Sequence, residues 1–342
     1  MTKYNAKNER IKKQYYEYLG ESKGRSSDTI DQVRNALYRF EIYNKFKDLG
    51  SFNKQQAMGF KKHLAKQKNT KGNLLSASTM VHVTNHLKQF FTWLICQKGY
   101  RSKFSLTDID YFNLLDGEKR IAKVKIDEDF PTIEQVRKVI FSMPTNNEVD
   151  KRNQALIAFT ILTCARDGAL ATLKIKHVDI YKKKVTQDPK EVKTKRNKLI
   201  ITPFAPIGED IEQIVTSWIN YLTKERLYGV NDPLFPRTKL GHDKNKSFKA
   251  DGIEPEHWKT TSQIRKIFKD AFENAGMKYY NPHSFRDTLG LLAQQKCKNI
   301  EEYKAWSLSF GHSNILTSMW SYGGEMNSYR QVELVRGLDL QL

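Results

Sequence analysis

Apolar residues recur at helical spacing through the first third of the chain. Ile30, Val33, Leu37, Phe40 and Tyr43 fall on one side of a segment that predicts a helix over 28–43, with Asp28 near its start. A second helix is expected over about 54–66. After the Lys-Gly-Asn loop at 71–73, Ser78 is suited to cap a third helix, in which Met80, Val83, Leu87, Phe90 and Leu94 repeat at the same period. An earlier segment near 10–18 brings the count to about four, enough for a small helical domain over residues 1–115. Phe90, Phe91 and Trp93 form an aromatic stripe whose spacing reads as core rather than as a base-stacking platform.

The pattern breaks at 116–130, GEKRIAKVKIDEDFP, which is charged, lacks a helical period and ends in proline, as an interdomain linker does. Beyond it a second domain is expected over 131–342. Thr132 caps IEQVRKVIFSM, and 152–163 is a nearly all-apolar helix that must be buried. From 181 to 202, lysines alternate with Val and Ile around a KTKRNK turn, which predicts a β-hairpin. The stretch 236–258 is polar and aperiodic and reads as a flexible surface insertion; the rest reads as helix. The fold class is therefore mainly α with a small β-hairpin or sheet, a helical domain followed by a mixed α+β domain, without internal repeats.

Charge narrows the function. The 342 residues carry 58 Lys+Arg against 38 Asp+Glu, a formal net charge of +20, and a field of that size implies a polyanionic partner. No run of about 18 apolar residues is present to span a bilayer, and MTKYNAKNERIKKQ lacks the apolar core of a secretion signal. A cytoplasmic, nucleoid-associated protein is expected, with no membrane partner. Cys96, Cys164 and Cys297 are few, far apart and in apolar or helical contexts, so they read as buried free thiols. The basic charge is also uneven. Between Asp48 and Asp108 there is no acidic residue, while Lys54, Lys61, Lys62, Lys66, Lys68, Lys71, Lys88, Lys98, Arg101 and Lys103 all fall there. Without glutamates to pair along a helix, these lysines point to a DNA-facing surface, to which Lys195 of the second domain is added.

The last half of the chain supplies chemistry. Arg166 follows the buried helix directly, where a guanidinium needs an anion: Asp167, Asp179 or a phosphate. His283 and Arg286, in NPHSFRDTLG, lie three residues apart at the start of a helix after Pro282, suited to a phosphate oxygen at its electropositive end. GHSN places His312 near another helix start, ten residues before Tyr322. A tyrosine hydroxyl has a pKa near 10 and attacks a phosphodiester only if cations stabilise the developing charge. Arg166 and Arg286 are suited to the non-bridging oxygens, while a lysine or histidine must protonate the departing 5′ oxygen. Lys193, in the hairpin turn, is the favoured lysine and Lys195 its rival. No carboxylate cluster resembles a two-metal nuclease, so neither a metal nor a cofactor is expected.

In this order, Arg166, Lys193, His283 with Arg286, Gly311–His312 and Tyr322 resemble the motif of the tyrosine recombinases of the phage-integrase family. Ala169 stands where members often carry Glu, and Asp167 where they prefer an apolar residue. The resemblance implies an N-terminal core-binding domain of SAM-like helical fold and a C-terminal catalytic domain. It implies a site-specific recombinase serving a mobile element or phage, which breaks and rejoins DNA through a 3′-phosphotyrosyl bond without metal or ATP. It also implies double-stranded DNA as partner, a homo-tetramer on two sites, and a C-terminal segment, here about 328–342, that docks on a neighbour through Val332, Val335, Leu338 and Leu342. An accessory directionality protein is a further possible partner. Alternatives are relaxation of DNA by a type IB topoisomerase-like monomer and a noncatalytic DNA-binding protein.

Overall fold

The computed structural model describes residues 4–70, 72–115, 117, 129–242, 248–322 and 336. The chain divides into two compact units, Met1–Ile126 and Asp127–Leu342. Most of the expected linker at 116–130, Lys71 and the exchange segment at 328–342 lie outside the described residues, Arg336 excepted.

Among the described residues, five α-helices build the first unit: α1 (Ala6–Glu17), α2 (Ser27–Tyr43), α3 (Lys54–Ala65), α4 (Ala77–Leu94) and α5 (Leu106–Asp110). Each begins at a side chain that accepts from orphan backbone amides: Asn5, Ser26, Asn53, Ser76 and Ser105. Helices α2 and α4 start slightly earlier than the pattern suggests, because Ser26 and Ser76 reach the amides of Thr29 and Thr79. Their apolar faces meet in an aromatic core. Phe40, Phe60, Phe90 and Phe91 are fully buried, and Phe52 stacks on Phe91 at 4.1 Å between centroids. Truncating one such ring to Ala would cost about 3–5 kcal/mol.

The basic stretch is only partly free to face a ligand. Lys88 donates to Asp110 Oδ1 at 2.8 Å and Lys61 to the Asn113 carbonyl at 2.6 Å, while Lys54 lies over the Tyr111 ring. An acidic partner therefore does exist, just beyond the acid-free segment, where α5 folds back against α3 and α4. Lys62, Lys66 and Lys68 stay exposed.

The second unit starts with α6 (Ile133–Ser142), whose Thr132 and Gln135 form a reciprocal capping box, and α7 (Glu148–Thr163), buried almost throughout. A short α8 (Asp167–Leu170) leads into an antiparallel sheet of β1 (Val178–Asp179), β2 (Lys184–Gln187) and β3 (Ile200–Pro203), in that order, with Lys184 opposite Pro203 and Gln187 opposite Ile200. Helix α9 (Glu209–Asn220) packs on α7 and is followed by a second hairpin, β4 (Arg237–His242) and β5 (Phe248–Glu254). Helices α10 (Ser262–Asn274), α11 (Ser284–Lys296), α12 (Ile300–Ser309) and α13 (Ile315–Tyr322) complete the unit.

The second hairpin corrects the expectation of a flexible insertion at 236–258. Arg152, only 1% exposed, donates to the Pro236 carbonyl and to Thr238 Oγ1 and stacks on Trp258, while Glu148 accepts from the Ile253 amide. The strands are anchored by polar groups of α7, a signal that apolar periodicity does not carry. Cys164 is buried and Cys297 half-buried, but Cys96 is exposed, contrary to the buried-thiol reading, because it follows the last apolar turn of α4. Among the described residues, no helix is long and apolar enough to cross a membrane.

Candidate active site

The site is built where α7 stops. Its C-cap, Cys164, adopts a left-handed conformation (φ 51°), which ends the helix and turns the next residues outward. Two residues on, Arg166 is the N-cap of α8. The turn also aims the Cys164 carbonyl at Arg286, whose Nη1 donates to it at 2.5 Å; Nη2 donates to the Phe310 carbonyl at the same distance. The Arg286 guanidinium lies 5.1 Å from the Phe310 ring centroid, and the residue is 2% exposed. A charge so placed would be costly without partners, and the two carbonyls and the ring face fix its plane. Asp167, one candidate partner of Arg166, has its carboxylate engaged by Arg265 of α10 at 2.6 Å.

His283 sits at the start of α11, where Asn281 Oδ1 accepts from the His283 and Ser284 amides. His312 follows α12 in a turn made by Gly311 at φ 74°. A side chain at Gly311 would be strained, and its Cβ would lie 2.6 Å from Ile200 Cδ1, so the Gly-His pair lets the turn press against β3. The turn is tied further by Lys198, which donates to Ser313 Oγ at 2.8 Å. His312 Nδ1 bonds Ser318 Oγ at 2.8 Å, and Ser318 in turn donates to Ser307 Oγ. Tyr322 is the last residue of α13, the helix that carries Ser318.

The loop from β2 to β3 is pinned on its near side. Glu191 accepts from Lys176, Lys174 and His177, and these bonds hold its carboxyl down to about 2. Val192 is buried and the Lys193 amide donates to Thr172 Oγ1. The Lys193 stem then runs beside Gly168 of α8. Beyond it, Arg196 and Asn197 are both left-handed and reverse the chain, carrying Lys195 into the neighbourhood of the arginines.

The electrostatics show which groups are gathered. Removal from water, then the charges of Arg286, Arg166 and Lys195, push His283 down from 6.5 to about 4. His312 is pushed to about 4 by the same causes in the same order, with Lys198 added. Lys195 is lowered by desolvation, then by Arg166, Arg196 and Arg286. His283 stays at the solvent-exposed rim, so water screens part of this repulsion. Arg166, Lys195 and Arg286 thus form, with the neutral imidazoles of His283 and His312, one group from four separate segments. Lys195 is the hairpin lysine among the leading charges felt by both histidines. Sequence reasoning missed Ser307, Ser318 and the two carbonyls that hold Arg286; small hydroxyls and backbone atoms leave no mark in a motif.

Comparison with known proteins agrees with this architecture. The model of the phage integrase family matches residues 132–318, more than half of the chain. A lambda integrase dimer bound to a COC' core site is similar in fold, with a TM-score of 0.61 and 12% identity over 97% of this chain and 99% of that one. XerH recombinase bound to palindromic difH substrate in a post-cleavage complex gives 0.59 and 18% over 95% and 84%. The Tn1549 transposon integrase in complex with transposon right end DNA gives 0.57 and 16% over 95% and 98%. No curated protein matches the sequence. The ordered residues, the helical unit before a mixed α+β unit, and the family match over 132–318 lead to one conclusion: the chain belongs to the phage integrase family and is a site-specific recombinase of the tyrosine type.

Proposed function

We propose that Tyr322 is the nucleophile of this recombinase and that Arg166, Lys195, His283, Arg286 and His312 handle the phosphate it attacks. The observation that carries the reading is the convergence of Arg166, Lys195 and Arg286 on the imidazoles of His283 and His312. Such a group repels itself and is stabilised by an anion. Arg166 and Arg286 take the non-bridging oxygens of a DNA phosphodiester. The Tyr322 oxygen forms a bond to phosphorus, the bond to the 5′ oxygen breaks, and the phenol proton must pass to a base. The two histidines, neutral at pH 7, are the bases in this group. The departing 5′ oxygen needs a proton in return. Lys195, made more acidic by burial and by its neighbours, suits that role better than Lys193. Attack by a 5′ hydroxyl then reverses each step and rejoins the strand, so bond energy is conserved.

The division of the chain at residue 126 supports reading the first unit, with exposed Lys62, Lys66 and Lys68, as a core DNA-binding domain and the second as the catalytic domain. Double-stranded DNA is the proposed partner, supported by the +20 charge and by the DNA-bound fold neighbours. Four copies on two duplexes are the proposed assembly, with an accessory protein setting direction; whether the purified chain alone runs both directions tests that last part.

The role of Lys195 has its own experiment. A DNA strand with sulfur at the bridging 5′ position leaves as a thiolate and needs no proton. Lys195→Ala should cut ordinary DNA at least about a hundredfold more slowly than wild type and recover most of that loss on the sulfur substrate. Recovery by Lys193→Ala instead would return the role to Lys193.

A further inference from the structure

His312 is held by a chain of two buried hydroxyls. Ser318 is 1% exposed and Ser307 2%. Ser318 Oγ lies 2.8 Å from His312 Nδ1 and 2.8 Å from Ser307 Oγ, to which it donates. A hydroxyl has one hydrogen. Since that of Ser318 is spent on Ser307, its oxygen must accept from His312, and the proton of the neutral imidazole therefore sits on Nδ1. The Nε2 atom then carries the lone pair. The imidazole is neutral at pH 7 because burial and the Arg286, Arg166 and Lys195 charges push it down to about 4, so a tautomer is a meaningful quantity there.

The same chain joins three segments. Ser307 belongs to α12, His312 to the turn after it and Ser318 to α13, one helical turn before Tyr322. The His312 amide also donates to the Ser307 carbonyl at 3.1 Å, so ring and backbone are fixed from the same residue.

We propose that Ser318 and Ser307 are positioning residues that hold His312 as the Nδ1–H tautomer, presenting a basic Nε2, and that couple the helix carrying Tyr322 to that imidazole. In the reaction, Nε2 accepts the phenol proton as the Tyr322 oxygen bonds to phosphorus, and the Nδ1–H bond to Ser318 stabilises the imidazolium formed. The proposal rests on His312 belonging to the active site, but its test does not need turnover.

The experiment is long-range proton–nitrogen NMR of ring-15N-histidine protein at pH 7, with the His312 signals identified by their loss in His312→Asn. Wild type should show the Nδ1–H pattern. In Ser307→Ala the Ser318 hydrogen is released and can donate to His312, so the population should move toward Nε2–H with little change in packing. A wild-type Nε2–H pattern, or a tautomer unmoved in both Ser307→Ala and Ser318→Ala, would overturn the proposal. Cleavage of nicked duplex should fall about tenfold in Ser318→Ala and recover to within about twofold of wild type in Ser318→Thr, which restores the hydroxyl. Equal rates for Ser318→Ala and wild type would remove the coupling to catalysis, whatever residue proves to be the nucleophile.

Discussion

Arg286 shows how a buried charge is made usable. Its guanidinium is held between the Cys164 and Phe310 carbonyls and over the Phe310 ring, so its plane is set by the fold itself. Lysine offers a point charge and cannot span both carbonyls. Arg286→Lys should lose about 1–3 kcal/mol of stability from the carbonyl left unpaired, together with most strand cleavage; thermal or urea unfolding beside a cleavage assay reads both. The two site histidines make a separate demand. Their folded-state pKa values, about 4, lie below the ordinary 6.5, so between those values the unfolded chain binds protons that the folded chain refuses. Their contribution to stability is intact above about pH 6.5 and is lost as the pH falls toward 4. Melting temperatures measured from pH 7 to pH 4.5 should therefore drop more steeply for wild type than for a His283→Asn, His312→Asn double variant. Parallel curves would show that these imidazoles titrate alike in both states. At this scale the sequence pointed, by side-chain type at a fixed spacing, to residues that the structure gathers: Arg166, His283 with Arg286, and His312. Between Lys193 and Lys195 the sequence gives no decision, because the course of the loop depends on the left-handed pair Arg196 and Asn197, and neither residue announces that conformation.

Elements were readable from periodicity and caps, and misread where polar anchors replace apolar ones. Helices α2, α4 and α6 follow from apolar residues three and four apart, α7 from a nearly all-apolar run, and the hairpin of β2 and β3 from lysines alternating with Val and Ile around a basic turn. The hairpin of β4 and β5 has neither signal and is held by Arg152, a buried arginine bonded to a carbonyl and hydroxyl and resting on Trp258. Burial pushes that guanidinium down to about 10. Arg152→Met keeps the volume but strands the Pro236 carbonyl. It should cost about 2 kcal/mol and expose 237–254 to limited proteolysis before the rest of the unit. Cleavage that begins elsewhere at the wild-type rate would mean the hairpin does not depend on this anchor. The basic helices of the first unit divide in the same way. Lys88 is occupied by Asp110, whose carboxyl it holds below the usual range, whereas Lys62, Lys66 and Lys68 are exposed. Replacing each of the last three by Ala should lower the slope of log affinity against log salt by about 0.9, and Lys88→Ala by clearly less.

The whole molecule joins a helical unit of basic surface to a mixed unit that gathers five cationic or basic side chains from distant parts of the sequence. A net charge of +20 serves such a chain by drawing it to DNA without regard to sequence, while selection of a site depends on base contacts and on the deformability of the duplex. The central claim is that the gathered cations serve one hydroxyl, that of Tyr322. It is tested most directly by incubating wild-type and Tyr322→Phe protein, in EDTA, with nicked duplexes drawn from the flanks of its own gene, and separating the products in SDS. A covalent protein–DNA adduct with wild type and none with Tyr322→Phe is the expected result. An adduct that persists in Tyr322→Phe would contradict the claim and place the nucleophile on another residue.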